Sequence, residues 1–566
     1  MSQTWWKESS VYQIYPASFK DSNDDGFGDL EGVIQKLDYI QKLNVDMVWL
    51  SPINKSPQVD MGYDISDYKD IDPRYGTLET VDRLIKGLNE RGMKFVLDLV
   101  VNHTSDQHEW FKQSRSSKSN PKRDWYIWRP AKYDADGNRQ PPNNWKSYFT
   151  ESAWKWDEAT QEYYLCLFAD EQPDLNWENP GVRAAVHDIV EFWLKRGVSG
   201  FRLDVINLIS KHPDLPDGPE TIPGSKYQWG YKYYANGPRL HEYLQELGAI
   251  FKKYDAFTVG EMPHVDDLDE MLRVVGEDRE ELRTIFQFDL VQLDGAPGPF
   301  GLKKWTVQDL TDTIQKWQVP VPKRGGWNSI FIENHDQART VSRYLSDEPQ
   351  FRAFASKLMA LLVVFQKGTP FVYQGQELAM ANIPKSVPIE EYKDVETVNA
   401  WKRFLATGPT EDEKDQFLSR VHTKARDHGR TPMHWDKSAH AGFTSGKSDP
   451  WMIVTPDYEW NAEDQLKDEN SPFHFWSKAL ALRKQLKDVV VYGDIELLNQ
   501  GDPNVVTLKR TATDKQLLVI LNFAKDNVAY MAPSSFSKVL LNNYDDLEQK
   551  DGKLVLKPFQ GIVAEV

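Results

Sequence analysis

One cysteine, Cys166, stands in a chain of 566 residues. That excludes an internal disulfide and a thiolate metal cluster. Long hydrophobic runs are lacking as well. The longest, Leu358 to Phe365, is too short to cross a bilayer. The opening MSQTWWKESS has no apolar stretch of the signal-peptide kind, so a reducing cytosol is the expected compartment. Asn54-Lys-Ser56 and Asn102-His-Thr104 fit the glycosylation pattern and, with no secretion signal, read as chance matches. Basic charge is the minority, with 68 Lys and Arg against 85 Asp and Glu and a net charge of −17. Such a balance excludes nucleic acid and an anionic membrane surface from the expected partners.

What is present is the profile of a globular protein, 40% hydrophobic and 27% charged, long enough for two to four domains. A surplus of aromatics, including 20 Trp and 24 Tyr, suits a surface that stacks on ring-shaped ligands. The most informative feature is a short apolar, β-branched run that ends abruptly in polar residues. It recurs at Val11, Met47, Lys94, Gly200, Phe257, Thr284, Ser329 and Thr369, with helix-like stretches between most of the runs. Strand–helix alternation with near-continuous apolar strands predicts a parallel sheet covered by helices. Eight such strands predict a (β/α)8 TIM barrel, α/β in class, with function at the C-terminal strand ends. An open doubly wound sheet would call for a glycine-rich first turn, which is lacking.

Two stretches leave this rhythm. Residues 104–173, after the third strand, are rich in Trp, Tyr, Asn and Pro with little helical periodicity, and read as a lid inserted over the barrel mouth. After residue 487, short alternating segments separated by Asp, Asn and Gly predict a small antiparallel β-sandwich. The expected division is a barrel of residues 1–103 and 174–487, a lid of 104–173 and a C-terminal β domain of 488–566.

The strand ends gather a constellation for acid–base work: Asp98, Asn102 and His103; Arg202 and Asp204; Glu261; His335 and Asp336. Paired carboxyls suit glycoside hydrolysis, and a retaining mechanism needs them about 5–5.5 Å apart. Arg202, two residues before Asp204, shares its strand face and is expected to hold that carboxyl ionised, with a lowered pKa. Glu261, between Val-Gly and Met-Pro, is expected to stay neutral as the acid. His335 and Asp336 would grip hydroxyls and stabilise positive charge at the anomeric carbon.

At these residues the chain resembles the alpha-amylase family of retaining glycoside hydrolases. DLVVNH, GFRLDVIN, VGEMP and ENHDQAR look like its four short signatures, QPDLN like a fifth, and TPFVYQGQE like the eighth-strand signature. NNWKSYF, ARDHGRTPMHWD and HAGFT are similar to the oligo-1,6-glucosidase, isomaltase and maltase branch. The resemblance implies Asp204 as nucleophile, Glu261 as acid/base and Asp336 as transition-state stabiliser. It implies that Asp60, Tyr63, His103, Arg202, His335 and Arg430 bind the terminal glucose, and that Phe149, Phe168 and Gln172 close the pocket.

Near the N-terminus, Asp21, Asn23, Asp25 and Asp29, with Gly26 at the sixth position and the Phe27 carbonyl at the seventh, reproduce the spacing of a calcium loop. The twelfth position is Gly32 where an EF-hand has Glu, and the bland reading is a solvated acidic turn. The resemblance implies a structural Ca²⁺ there, with Mg²⁺ as the alternative. GFGDLEG is not a dinucleotide fingerprint, His241-Glu242 lacks the second His of a zinc protease, and EDEKD near Glu411 reads as a solvated face. Val205, directly after Asp204, is the family's mark of α-1,6 cleavage, where Thr marks α-1,4. The expected enzyme is an exo-acting α-glucosidase on short oligosaccharides, a monomer that favours isomaltose. A maltase or sucrase, a sucrose-isomerising transglycosylase and a non-catalytic binding subunit are the competing readings.

Overall fold

The computed structural model describes residues 4–498 and 501–566. Eight strands form one parallel sheet: β1 (Val11–Ile14), β2 (Met47–Leu50), β3 (Lys94–Val100), β4 (Gly200–Asp204), β5 (Phe257–Glu261), β6 (Thr284–Phe286), β7 (Ser329–Ile330) and β8 (Thr369–Tyr373). The order is β6-β5-β4-β3-β2-β1-β8-β7, sequential around a barrel. No ladder joins β6 to β7 among the described residues. There the Thr284 hydroxyl donates to the Trp327 carbonyl at 3.0 Å and meets the Ser329 hydroxyl at 2.9 Å.

The strands are apolar on both faces because both are covered, which is why their alternation is weak. The inward layer near the barrel's base is Val11, Met47, Trp49, Val96, Phe257, Val259, Phe286, Phe331 and Phe371. Phe286 packs on Phe331 and Phe371 at ring separations of 4.6 and 4.7 Å. One step along β3 from Val96 the inward side chain is Asp98, so the interior changes from apolar to charged towards the C-terminal ends. The parallel register then sets Arg202 beside Asp98 on one side and Val259 on the other.

Between residues 104 and 173 lie a three-stranded antiparallel sheet (Trp128–Arg129, Glu162–Leu165, Trp154–Asp157) and a small hairpin. They also hold a helix, Glu109–Ser116, in a stretch whose sequence shows little helical periodicity. His108 caps its first turn, and Phe111 is its large apolar side chain that is fully buried, against Tyr126, Trp128 and Tyr164. A stripe carried by so few residues gives no visible period. The segment after β4 packs against this insertion. Trp145 Nε1 donates to the Pro216 carbonyl, and Asn143 Nδ2 to that of Leu215.

At the far end, a five-stranded and a three-stranded antiparallel sheet follow Asp494. They lie on the helix Pro349–Phe365, whose apolar run from Leu358 is wholly buried. Gly561 permits this approach, since a Cβ there would stand 2.7 Å from Leu361 Cδ1. The run that is too short for a membrane is the ridge between barrel and C-terminal sheets.

Candidate active site

Arg202 is 1% exposed and is the hub of the barrel mouth. Its Nη1 donates to Asp98 at 2.9 Å and to Asp204 at 2.6 Å, and its Nη2 pairs with Glu261 at 2.7 Å. Asp98 accepts two further bonds, from Trp49 Nε1 at 3.2 Å and from the Tyr63 hydroxyl at 3.1 Å. Asp204 and Glu261, from neighbouring strands, are thus brought together on the two terminal nitrogens of one guanidinium.

One cation thus serves three buried carboxyls. Burial pushes Glu261 up to about 8, opposed by Arg202 and reinforced by Asp204 and Asp336. Burial likewise raises Asp204 despite the pull of Arg202. The expectation that Arg202 would leave Asp204 below the ordinary range is therefore corrected. A single guanidinium divided among three carboxyls does not offset their desolvation. The ordering survives, since Glu261 holds its proton to higher pH than Asp204.

On the opposite wall a second cationic centre pairs Arg426 with Arg430. Arg430 Nη2 reaches Asp336 at 2.9 Å and its Nη1 reaches Asp394 at 2.7 Å. Arg426 lies 3.2 Å from both Asp60 and Asp336 and 3.0 Å from Asp394. Burial would raise Asp336, but His335, Arg426, Arg430 and Arg202 together hold it far below the usual carboxylate range. Asp60, which burial pushes up to about 6, accepts from Gln172 Nε2 at 3.1 Å. His103 Nε2 stands between the Tyr63 carbonyl, 3.1 Å away, and Gln172.

The pocket between these walls has a cavity of about 300 Å³, the lower end of small-ligand sites. Asp60, Tyr63, His103, Phe149, Phe168, Asp204, Glu261 and Asp336 all line it. Phe149 is held by Asn399 and Arg403, which donate to its carbonyl, and its ring lies 5.2 Å from the Arg426 guanidinium. Gln172, Arg202, His335 and Arg430 stand directly behind the lining. Every residue assigned to catalysis or sugar binding from the sequence is therefore gathered at one place.

Val205 lines the pocket too, against strand alternation, which would turn it away from the face of Asp204. Its φ of +35° is left-handed, a strained backbone for a β-branched residue costing about 1–3 kcal/mol. The turn swings its side chain inward and lets its N–H donate to Glu261 at 3.2 Å.

The sequence pattern of the alpha-amylase catalytic domain matches residues 13–493. The chain belongs to the alpha-amylase family. A second pattern, the C-terminal domain of the alpha-amylase SusG, matches residues 505–563. An alpha-glucosidase of Schizosaccharomyces pombe is 59% identical, spanning 99% of this chain and 98% of its own length. An oligo-1,6-glucosidase of Parageobacillus thermoglucosidasius is 46% identical over the whole of both. Among solved structures, an isomaltulose synthase of Erwinia rhapontici with bound sucrose superposes with a TM-score of 0.94 at 39% identity, covering 100% of this chain and 99% of its own.

In this alpha-amylase family member the sequence reading missed Arg426, Asp394 and Glu396. Arg426 was visible in ARDHGRTPMHWD four residues before Arg430, one helical turn away. Nothing local tied Glu396 to the pocket it lines. Also unforeseen is Lys211, whose Nζ reaches Asp174 at 2.9 Å, Asn102 at 3.1 Å and the Leu208 carbonyl at 2.6 Å. This buried ammonium ties β3, the end of the insertion and the segment after β4 together behind the site.

None of the residues of the loop Asp21–Asp29 lines the pocket of these carboxyls. The side-chain oxygens of Asp21, Asn23 and Asp25 each accept the N–H two residues on, at 3.0, 3.0 and 2.8 Å. Gly26, at φ +90°, supplies the sharp turn. Asp29 caps the helix Leu30–Gln35. Among the described residues no three His, Cys, Asp or Glu side chains are placed to hold a metal by themselves. A cation would therefore also need the oxygens of Asn23 and Phe27, a hard donor set that fits Ca²⁺. Lys20 Nζ, bound to the Asp21 carbonyl at 2.8 Å, already places one positive charge beside the loop.

Glu396 gives a pH signature. Burial pushes it up to about 7. A carboxyl whose folded pKa exceeds its unfolded one favours the fold at low pH, and that contribution is lost as pH rises from the ordinary glutamate range to about 7. Glu396→Gln is therefore expected to raise the melting temperature more at pH 8 than at pH 5, measured by calorimetry at matched ionic strength. Equal gains at both values would contradict a raised pKa.

Proposed function

We propose that the protein is an exo-acting retaining α-glucosidase that frees glucose from the non-reducing end of short oligosaccharides and favours α-1,6 linkages. The observation that carries the reading is Asp204 and Glu261 held on one guanidinium and lining one small pocket. Two carboxyls on one guanidinium can reach the separation of about 5–5.5 Å that a retaining enzyme needs, whereas an inverting enzyme holds them wider to admit a base-activated water. The relatives named alpha-glucosidase and oligo-1,6-glucosidase support the same substrate class.

In the first step Asp204 attacks the anomeric carbon and its carboxylate oxygen forms the new bond. Glu261 gives its proton to the glycosidic oxygen, which leaves with the bond's electron pair as the free aglycone. In the second step Glu261, now ionised, takes a proton from water. The water oxygen replaces Asp204 at the same carbon, with net retention. Asp336, held ionised by its arginines, faces the positive charge that develops at the anomeric carbon in the transition state of each step. A pocket of about 300 Å³ with Phe149, Phe168 and Arg426 along its wall suits one terminal glucose. A monomer in the cytosol, where the lone buried thiol of Cys166 stays reduced, completes the reading.

Side-by-side digestion of isomaltose, maltose and sucrose with product identification tests it. Glucose with net retention, fastest from isomaltose, is expected. Isomaltulose or trehalulose as the main product from sucrose would favour the isomerising reading, which the 0.94 superposition on an isomaltulose synthase keeps in view. Val205→Thr, which sets a hydroxyl where the leaving sugar emerges, is expected to raise maltose cleavage relative to isomaltose by about 10–100-fold. An unchanged ratio would move linkage choice elsewhere in the pocket.

The pH profile follows from the raised carboxyls. kcat/KM should fall on the acid side as Asp204 takes a proton, above the ordinary carboxylate range, and on the basic side near pH 8 as Glu261 loses its own. Glu261→Gln should remove the basic limb for a substrate whose leaving group needs no acid, such as an activated aryl glucoside. A basic limb that persists in that variant would take the acid role from Glu261.

For the loop Asp21–Asp29 the proposal is a structural Ca²⁺ held by Asp21, Asn23, Asp25, Asp29 and the Phe27 carbonyl, with Mg²⁺ as the alternative ion. The ion would supply loop rigidity and no step of the chemistry. Chelation is expected to lower the melting temperature with little change in turnover at 25 °C. Calorimetry with and without chelator that gives one temperature would leave a turn held by its own hydrogen bonds.

A further inference from the structure

We propose that Gln13, on β1, is a positioning residue that fixes the tautomer of His335 and so aligns Asp336 with the Asp98–Arg202 network. The reaction it serves rests on the hydrolase reading above, whereas the hydrogen-bond geometry does not.

Gln13 is 2% exposed. Its Nε2 donates to His335 Nδ1 at 2.9 Å and reaches Ser51 Oγ at 3.4 Å. With Nδ1 occupied as an acceptor, a neutral ring carries its proton on Nε2. That nitrogen faces the Tyr63 hydroxyl at 2.6 Å and Asp336 Oδ2 at 3.2 Å. The Tyr63 hydroxyl has one proton, which it donates to Asp98, so its oxygen takes a donor from the ring.

The opposite tautomer fails on both contacts. A bare Nε2 would set a lone pair against the Asp336 carboxylate and compete with Asp98 for the Tyr63 proton. The two carboxylates therefore fix the orientation of the Gln13 amide. The doubly protonated ring is closed off as well. Burial brings His335 down to about 3, and Arg202, Arg426 and Arg430 reinforce this against Asp336. Tyr63 and Tyr15 stack on the imidazole at 5.2 and 6.0 Å, so the ring cannot answer a lost partner by turning. One amide on the first strand thus orients a chain of bonds through His335, Tyr63, Asp98 and Arg202 to both reacting carboxyls.

The test measures the ring ¹⁵N shifts of His335 together with kcat and KM on isomaltose, for the wild type, Gln13→Leu and Gln13→Glu. The wild type should show a protonated Nε2 and a bare Nδ1. In Gln13→Glu an ionised carboxylate accepts from Nδ1, which should reverse that assignment. A histidine held in the wrong tautomer can cost up to about 10⁴ in turnover, and a loss of about 100-fold in kcat is expected. Gln13→Leu only removes the donor and should cost about tenfold by the same reasoning. A space-filling role predicts the opposite order, since Glu matches Gln in shape. A proton on Nδ1 in the wild type, or wild-type turnover in Gln13→Glu, overturns the proposal. If Gln13→Glu does not fold, the wild-type nitrogen shifts decide alone. Should the wild type cleave no α-glucoside, the hydrolase reading fails while the nitrogen readout still stands.

Discussion

The site depends on one buried guanidinium that pairs with three carboxyls, which among the described residues have no other cation within salt-bridge distance. Asp98, Asp204 and Glu261 compete for Arg202, and one positive charge cannot offset the desolvation of three negative ones. The cluster therefore retains protons at neutral pH. The proton stays longest on Glu261, where the charges of Asp204 and Asp336 add to the effect of burial. A geometry that looks like a structural salt-bridge network thereby separates the carboxyls by the pH at which each gives up its proton, as the roles proposed for Glu261 and Asp204 require. Removing one partner of such a buried group leaves charge uncompensated, at a cost of about 3–5 kcal/mol. Strand register and catalytic competence are coupled for this reason.

The opposite wall solves the converse problem. Arg426 and Arg430 face Asp60, Asp336, Asp394 and Glu396, so two cations are available, and both converge on Asp336. The result is a carboxylate ionised at any working pH, set across a small pocket from one that is protonated. Positive charge developing on a sugar between them meets a fixed negative group without any change of protonation. Carboxyls of the same chemical type are separated in role by how many arginines each can reach.

Much of this was legible in the sequence because barrel strands announce their ends. An apolar run broken by Asp, Arg, Glu or His is a strand leaving the core, and parallel topology brings all such ends to one face. That logic located Asp204, Glu261, Asp336, Arg202 and His335 without a structure. It could not assign the sharing of Arg202, because the registers pairing it with Asp98 and Val259 are cross-strand facts. Nor could it find Gln13, a lone polar residue in the apolar run of β1, whose partner is 322 positions away. Arg426 and Glu396 sit on segments after β8 with no periodic relation to the strands. The short helix Glu109–Ser116 was hidden because few residues carry its buried face.

Val205 shows why the turn after β4 is strained. An extended residue there would send its side chain away from the pocket and its N–H away from Glu261. A glycine would adopt φ +35° without strain, yet it would leave the wall beside the leaving sugar open. The β-branched residue in a left-handed conformation does both tasks, and its strain persists because the surroundings over-determine it. Arg202 fixes the strand just before it, at Asp204. Just after it, Lys211 takes the Leu208 carbonyl, and Asn207 Nδ2 donates to the Pro263 carbonyl beyond Glu261. With both ends held, the single residue between Asp204 and the loop is fixed in this conformation. That conformation aims a side chain into the pocket and an amide at Glu261.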